Sequence, residues 1–223
     1  KVRRNRMCGI YGYHSDQYDP SDIDVLKKIG KSLRHRGPDQ EGKYVDGEIA
    51  LGIQRLSVLD LERGEQPIFS NNKSLVIVHN GEIYNYKSLR KKLESKGYHF
   101  QTNTDTEVIV NMYQEKGVES LKELNGMFAF AIYNIENKEL FIARDRFGIK
   151  PLYYFKDMER FIFSSELKGI QRCHDIKLDS SFEAIDLYLT MEYIPAPFTI
   201  YKNIFKLEQG HYLLSKNGSF KKE

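Results

Sequence analysis

The chain has 223 residues, 40% hydrophobic and 29% charged, the composition of one large globular domain or two small ones. No apolar run reaches the roughly 18 residues of a membrane-spanning helix, and the start has no apolar stretch like the core of a secretory signal. Its +3 charge sits in the head, where Lys1, Arg3, Arg4 and Arg6 are four of 34 basic residues; the remaining 30 face 31 acids, so the body lacks the basic surplus that nucleic acid requires.

The elements follow from periodicity and turn chemistry. Residues 8–13 read as a first strand, ending in Tyr11 to Tyr13. Leu26, Ile29 and Leu33 fall at helical spacing, predicting a helix over 22–33 that Gly37-Pro38 closes off. Asp46-Gly47 signals a hairpin, with the strand 50–56 after it. A strand over 75–78 precedes His79-Asn80-Gly81, and a helix over 86–96 ends at Gly97. Thr104 and Glu107 form a capping box, opening a helix with Val108, Ile109, Met112 and Tyr113 on one side. Strands follow at 127–135 and 139–144, then a hairpin of 153–155 with 160–163. A helix over 186–189, a Pro195/Pro197 loop and a last strand over 210–215 before Asn217-Gly218 complete the chain. Runs such as Met127-Phe128-Ala129-Phe130-Ala131-Ile132 are apolar on both faces and need cover on both sides, which two packed sheets flanked by helices provide. The expected class is α+β.

Two cysteines far apart, Cys8 and Cys173, make no disulfide framework and fit a reducing, cytoplasmic setting. Cys8 follows Met7. If Met7 is removed, thiol and free α-amine sit on one residue; with values near about 8.5 and about 7.7–8.0, the amine can take the thiol proton near neutrality. The alternative is a buried cysteine acting as a small apolar residue. Asn80 and Gly81 read either as a turn or as an oxyanion hole built from a side-chain amide and a backbone N–H. Arg55 suits a bidentate carboxylate clamp, or an ion pair with Asp60. Asp105 either opens a helix or holds a ligand's ammonium; Glu82 does the same or pairs with a lysine. Together they ask for a substrate with a carboxylate, an ammonium and an acyl carbon, the parts of an amino acid with a carboxamide side chain.

Six stretches in order carry a family resemblance: Met-Cys-Gly-Ile at 7–10, Arg-His-Arg-Gly-Pro-Asp at 34–39, Gln-Arg-Leu-Ser-Val-Leu-Asp at 54–60, His-Asn-Gly-Glu-Ile-Tyr-Asn at 79–85, Thr-Asp-Thr-Glu at 104–107 and Arg-Asp-Arg-Phe-Gly-Ile-Lys-Pro-Leu-Tyr at 144–153. From Met7 to about Phe220 the chain resembles the glutaminase domain of glutamine-dependent asparagine synthetases, class II glutamine amidotransferases of the N-terminal-nucleophile hydrolase superfamily. The resemblance implies a four-layer α/β/β/α sandwich. It implies that Cys8 is the nucleophile, that Asn80 and Gly81 form the oxyanion hole and that Arg55 holds the glutamine carboxylate. Glu82 and Asp105 would hold the ammonium, with backbone groups of Leu56, Ser57, Val58 and Leu59 lining the pocket. Arg36 and the 144–153 loop would organise structure rather than react.

Two departures stand out. The family begins at Cys once Met is removed, whereas six residues precede Met7; they read as a tag remnant, a misplaced start or a short pro-segment. The family's ATP-using synthetase domain carries a Ser-Gly-Gly-x-Asp-Ser loop, and Leu178-Asp179-Ser180-Ser181 lacks its glycines. The expected organisation is an extension over 1–6, the amidotransferase domain over 7–192, and closing strands with the start of a linker over 193–223. No cofactor or metal is expected in this chain; ATP and Mg belong to the missing domain. The implied partners are L-glutamine, the synthetase domain and a possible second copy in a homodimer, with no nucleic acid and no membrane. The implied reaction is hydrolysis of glutamine to glutamate and ammonia through a Cys8 thioester, the ammonia amidating aspartate. The alternatives are an amidotransferase serving another acceptor, in natural-product or polysaccharide amidation, and a non-catalytic scaffold.

Overall fold

The structure, a computed structural model, describes residues 7–15, 22–57, 60, 63–173, 176–216 and 219–223. In chain order its elements are β1 (Gly9–Ser15), α1 (Asp22–Leu33), β2 (Gln40–Asp46), β3 (Ile49–Arg55), β4 (Ile68–Phe69), β5 (Leu75–Ile83), α2 (Tyr86–Glu94) and α3 (Asp105–Lys116). A 3-10 helix (Gly117–Lys122) leads to β6 (Gly126–Asn134), β7 (Glu139–Arg144), β8 (Tyr153–Lys156), β9 (Arg160–Ser164), α4 (Leu167–Ile170), α5 (Phe182–Met191), β10 (Ile204–Lys206), β11 (Tyr212–Lys216) and β12 (Ser219–Lys222).

Two six-stranded antiparallel sheets form, in the orders β10-β8-β9-β1-β3-β2 and β12-β11-β7-β6-β5-β4. β6 shows why they stack. Its Ala129, Ala131 and Tyr133 join Ile10, Leu51 and Ile53 in a core between the sheets. Phe128, Phe130 and Ile132 alternate to the other face and pack on Leu89, Leu93, Val108 and Ile109 of α2 and α3. On the outer face of the first sheet, Tyr11 and Tyr13 pack against Leu26, Ile29 and Leu33 of α1 and Ile170 of α4. Three cores between four layers make an α/β/β/α sandwich. Each fully buried large apolar side chain contributes about 1.5–3 kcal/mol to it.

The structure corrects several sequence expectations. His79-Asn80-Gly81 is not a turn after a strand: β5 runs through it to Ile83, and the chain turns at Tyr84 and Asn85. α3 is buried on all sides from Asp105 to Tyr113 rather than along one stripe, because α2, the 3-10 helix, β4 and β5 surround it. The capping box is half formed. Thr104 accepts the Glu107 N–H at 3.3 Å, but the Glu107 carboxylate bonds back to the N–H groups of Gln101 and Thr102, at 2.8 and 2.7 Å. The first hairpin loop is Gly47-Glu48, one residue beyond the Asp-Gly pair. The strand ending before Asn217-Gly218 is not the last, since β12 pairs with it; residues 217 and 218 lie outside the described ones. β10 lies at one edge of the first sheet, and β11 and β12 extend one edge of the second.

Candidate active site

A half-open cleft with about 100 Å³ of internal space lies where β1 and β3 of one sheet meet β5 of the other. Cys8, Arg55, Leu56, Asn80, Gly81, Glu82 and Asp105 all line it, residues from four separate stretches of sequence.

Cys8 stands one residue before β1. Its sulfur accepts the Leu56 N–H at 3.4 Å and lies 3.6 Å from the Leu56 carbonyl oxygen. Arg36, in the turn that follows α1, donates from Nε to the Cys8 carbonyl at 2.9 Å. Burial pushes the Cys8 thiol up from its ordinary value. The Leu56 N–H and the charges of Arg55, Lys150 and Arg36 pull against that shift.

Asn80 and Gly81 owe their placement to β5. Asn80 is 1% exposed, and among the described residues its Nδ2 has no hydrogen-bond partner, so a buried donor waits in the cleft wall. Gly81 pairs in register with Phe128 of β6, but the Phe128 N–H and C=O are both bonded to Asp145. That makes the pair non-hydrogen-bonded, so the Gly81 N–H points away from β6. It points to the open side of β5, where Gln66 brackets the His79 backbone and Asp105 takes the Ile83 N–H. A Cβ at position 81 would lie 2.2 Å from the Met127 carbonyl oxygen, so only glycine fits. The two donors thus flank one side of the cleft.

Arg55 is 4% exposed, and its Nη2 donates to the Asp60 backbone carbonyl at 3.2 Å. Gly64 makes room for it: a Cβ there would meet Nη2 at 2.5 Å. Asp105 is the first residue of α3, and one of its oxygens accepts the Ile83 N–H at 2.8 Å. Its two expected roles, at the helix start and in the cleft, therefore coincide in place. Ser57 is not in the cleft wall, and its N–H is bonded to Asp39 Oδ2 at 2.9 Å. Val58 and Leu59 lie outside the described residues.

The cleft also holds side chains that motif reading passed over. Gln66 has no motif around it; its role comes from bonding the backbone of β5. His79 is 2% exposed and holds Thr106 Oγ1 at 3.0 Å through Nδ1; burial pushes its imidazole down, so it is neutral at neutral pH. Lys150 belongs to the 144–153 stretch expected to organise structure, yet its Nζ enters the cleft. No described helix is long and apolar enough to cross a membrane.

Arg36 is fixed from behind by Glu166, whose Oε1 accepts Nη1 at 2.9 Å. Burial works against the Glu166 anion, but hydrogen bonds from Arg36, Lys168 and His35 outweigh it and hold the carboxyl down at about 2, from its ordinary 4.5. The lowered value means the network stabilises the fold fully above about pH 4.5 and is lost as pH falls through about 2. Glu166→Gln is therefore expected to lower the urea midpoint at pH 7, with the gap to the parent closing as pH falls toward 2. A gap that stayed constant with pH would show that the network contributes nothing through its charge.

Residues 7–223 match a family described as glutamine amidotransferase domain. The chain is 39% identical over 208 residues to asparagine synthetase (glutamine-hydrolyzing) 1 of Bacillus subtilis, covering 92% of this chain and 33% of that protein. It is 41% identical over 176 residues to asparagine synthetase B (glutamine-hydrolyzing) of Escherichia coli, covering 77% of this chain and 31% of that protein. The chain thus spans about a third of the length of these curated relatives. The solved glutamine phosphoribosylpyrophosphate amidotransferase of B. subtilis shares the fold with a TM-score of 0.63 at 21% identity, over 97% of this chain and 49% of that one.

Proposed function

This chain belongs to the glutamine amidotransferase domain family, and from that premise we propose that it hydrolyses L-glutamine through a thioester on Cys8. The Cys8 α-amine, freed by loss of Met7, takes the thiol proton. Sulfur attacks the side-chain amide carbon, and the carbonyl oxygen gains charge between Asn80 Nδ2 and the Gly81 N–H. The tetrahedral intermediate collapses, the C–N bond breaks and the amide nitrogen leaves as ammonia with the returned proton. Water then releases glutamate from the thioester. Arg55 binds the substrate carboxylate, Asp105 and Glu82 its ammonium, and the Leu56 backbone keeps the sulfur in line. The observation that carries this reading is the unsatisfied Asn80 amide buried in the same cleft as Cys8. A buried donor without a partner costs about 1–3 kcal/mol, and a developing oxyanion is the partner it suits.

Asparagine synthetases among its relatives extend this proposal to the ammonia's destination. We place it in ATP-dependent amidation of aspartate, with ATP and Mg held by a synthetase portion beyond these residues. Glutamate and ammonia release from glutamine tests the first half; asparagine formation from aspartate, ATP and glutamine by the full-length protein tests the second.

Substrate anchoring is separable from chemistry. Arg55→Gln and Asp105→Asn are each expected to raise KM for glutamine roughly ten- to hundredfold, since a hydrogen bond to a charged group contributes about 1.5–3 kcal/mol. The asparagine keeps an acceptor for the Ile83 N–H, so the helix start survives. Asn80→Ala is expected instead to lower kcat by about a hundredfold or more, because it removes a donor used in the transition state. Steady-state kinetics on the three variants checks this; anchor variants with the parent's KM would show that the carboxylate and ammonium bind elsewhere.

A further inference from the structure

The loop between β7 and β8 turns one cation into the cleft that glutamine hydrolysis as described above leaves without a task. Asp145, fully buried, organises this loop: Oδ1 accepts the N–H groups of Phe147 and Ile149 at 3.1 and 3.0 Å, and Oδ2 accepts those of Lys150 and Phe128 at 3.0 and 3.2 Å. Phe147 and Ile149 consequently face solvent, at 84% and 52% exposure, while Lys150 is turned inward at 6%. Its Nζ contacts the Met7 sulfur at 3.3 Å, a weak acceptor, and among the described residues it bonds no carboxylate. Burying an ammonium without such a partner is costly, which argues for a use.

The surrounding charges narrow that use. Cys8 is faced by Arg55 from β3, Arg36 from the turn after α1, and Lys150. Arg55 is committed to the substrate carboxylate in the reaction proposed above, and Arg36 is paired with Glu166. Lys150 is faced by Glu82 from β5, by Cys8, by Arg36 and by Asp145. His79, in the same wall, is neutral. Met7 occupies the space beside the ammonium; its removal leaves Lys150 next to the new amine and thiol of Cys8.

We propose that Lys150 is a positioning residue of the glutaminase site, its buried ammonium serving as the counter-charge that holds the Cys8 sulfur as a thiolate. The inference rests on Cys8 being the nucleophile. Lys150 keeps its proton throughout: the proton shuttles between the thiol, the Cys8 amine and the leaving ammonia, and Lys150 acts through its field alone. A fixed cation favours the thiolate and disfavours a second positive charge on the amine, so it lowers both titrations. Removing it must move both limbs of the pH profile of kcat/KM in one direction, toward alkaline pH. A lysine that merely supported the loop would lower the height of the profile and leave its position unchanged.

The test uses the chain with Cys8 as its first residue, as parent, Lys150→Met, Lys150→Gln and Lys150→Arg, each with its thermal midpoint recorded. Two profiles are read against pH: kcat/KM for glutamine, and the iodoacetamide alkylation rate at Cys8, resolved from Cys173 by peptide mass spectrometry. A unit charge across the cleft, roughly 6–12 Å from the sulfur at an effective dielectric of about 20, predicts an alkaline shift of about one to two pH units in both neutral variants, and roughly ten- to hundredfold slower alkylation at pH 7. Lys150→Arg should keep the parent's profiles. Unshifted profiles in whichever neutral variant folds, or an equal shift in Lys150→Arg, would overturn the proposal. Loss of the Cys8 assignment would show separately, as a parent that releases no ammonia; the alkylation arm needs no turnover and still decides whether Lys150 sets the state of this thiol.

Discussion

Cys8→Ala is expected to reduce glutamine hydrolysis to background while the protein stays folded. Cys8 is the one thiol in the cleft; Cys173 is buried in the separate core beneath α1 and α4. Among the described cleft side chains, Thr104 and Thr106 carry only hydroxyls, which are far harder to deprotonate than a thiol, even with His79 Nδ1 3.0 Å from Thr106 Oγ1. The fold should survive because the substitution removes a single sulfur. Its hydrogen bonds to Leu56, at 3.4 and 3.6 Å, are the weak ones that a thiol makes, and the Arg36 bond goes to the Cys8 backbone, which alanine keeps. Cys8→Ser should be nearly as inactive, since a hydroxyl is a poor proton donor to an amine of near-neutral titration. Ammonia and glutamate would be measured together with the thermal midpoint. Ammonia release comparable to the parent's from a folded Cys8→Ala would remove the thioester from the mechanism.

Much of the sandwich was legible because burial on two faces leaves a mark in composition. The unbroken apolar run in β6 can only be satisfied between two layers, and α1 shows a 3.6-residue stripe with sharp ends. What escaped was set by tertiary contacts. β4 and β10 have two and three residues, too few for any period. His79-Asn80-Gly81 has the composition of a turn, yet it continues a strand because the Gln66 side chain replaces a neighbouring strand's hydrogen bonds and Gly81 lets the Met127 carbonyl approach.

The site was legible for a different reason: its chemistry demands residue types. A thiol next to a removable methionine, an amide beside a glycine, an arginine and two acids are each ordinary alone, and the cleft brings them together. Lys150 was visible in its motif but not in its direction, which depends on how Asp145 folds the loop. Ser57 neighbours Leu56 in the same motif, and its N–H is bonded to Asp39.

The chain with Met7 still attached to Cys8 is expected to be nearly inactive, and removal of residues 1–7 to switch it on. While the Met7–Cys8 peptide bond exists, the Cys8 nitrogen is an amide. Its lone pair is delocalised, so it cannot accept the thiol proton, and the mechanism loses its base. Geometry adds a second block. Met7 lines the cleft, with its sulfur 3.3 Å from Lys150 Nζ, so its side chain takes space beside the nucleophile. Burial raises the thiol while no base is present to compensate, leaving little thiolate at pH 7. General-base loss alone is worth about 10²–10⁴-fold. Mass spectrometry would define the N-terminus before and after trimming, with ammonia release followed on both samples. Acetylating the α-amine of the trimmed chain separates gain of a free amine from gain of space: with the Met7 side chain gone but the base blocked, it should remain inactive. Equal activity in a sample whose Met7 is demonstrably intact would assign the base to another group, and among the cleft residues the neutral imidazole of His79 would be the first to substitute.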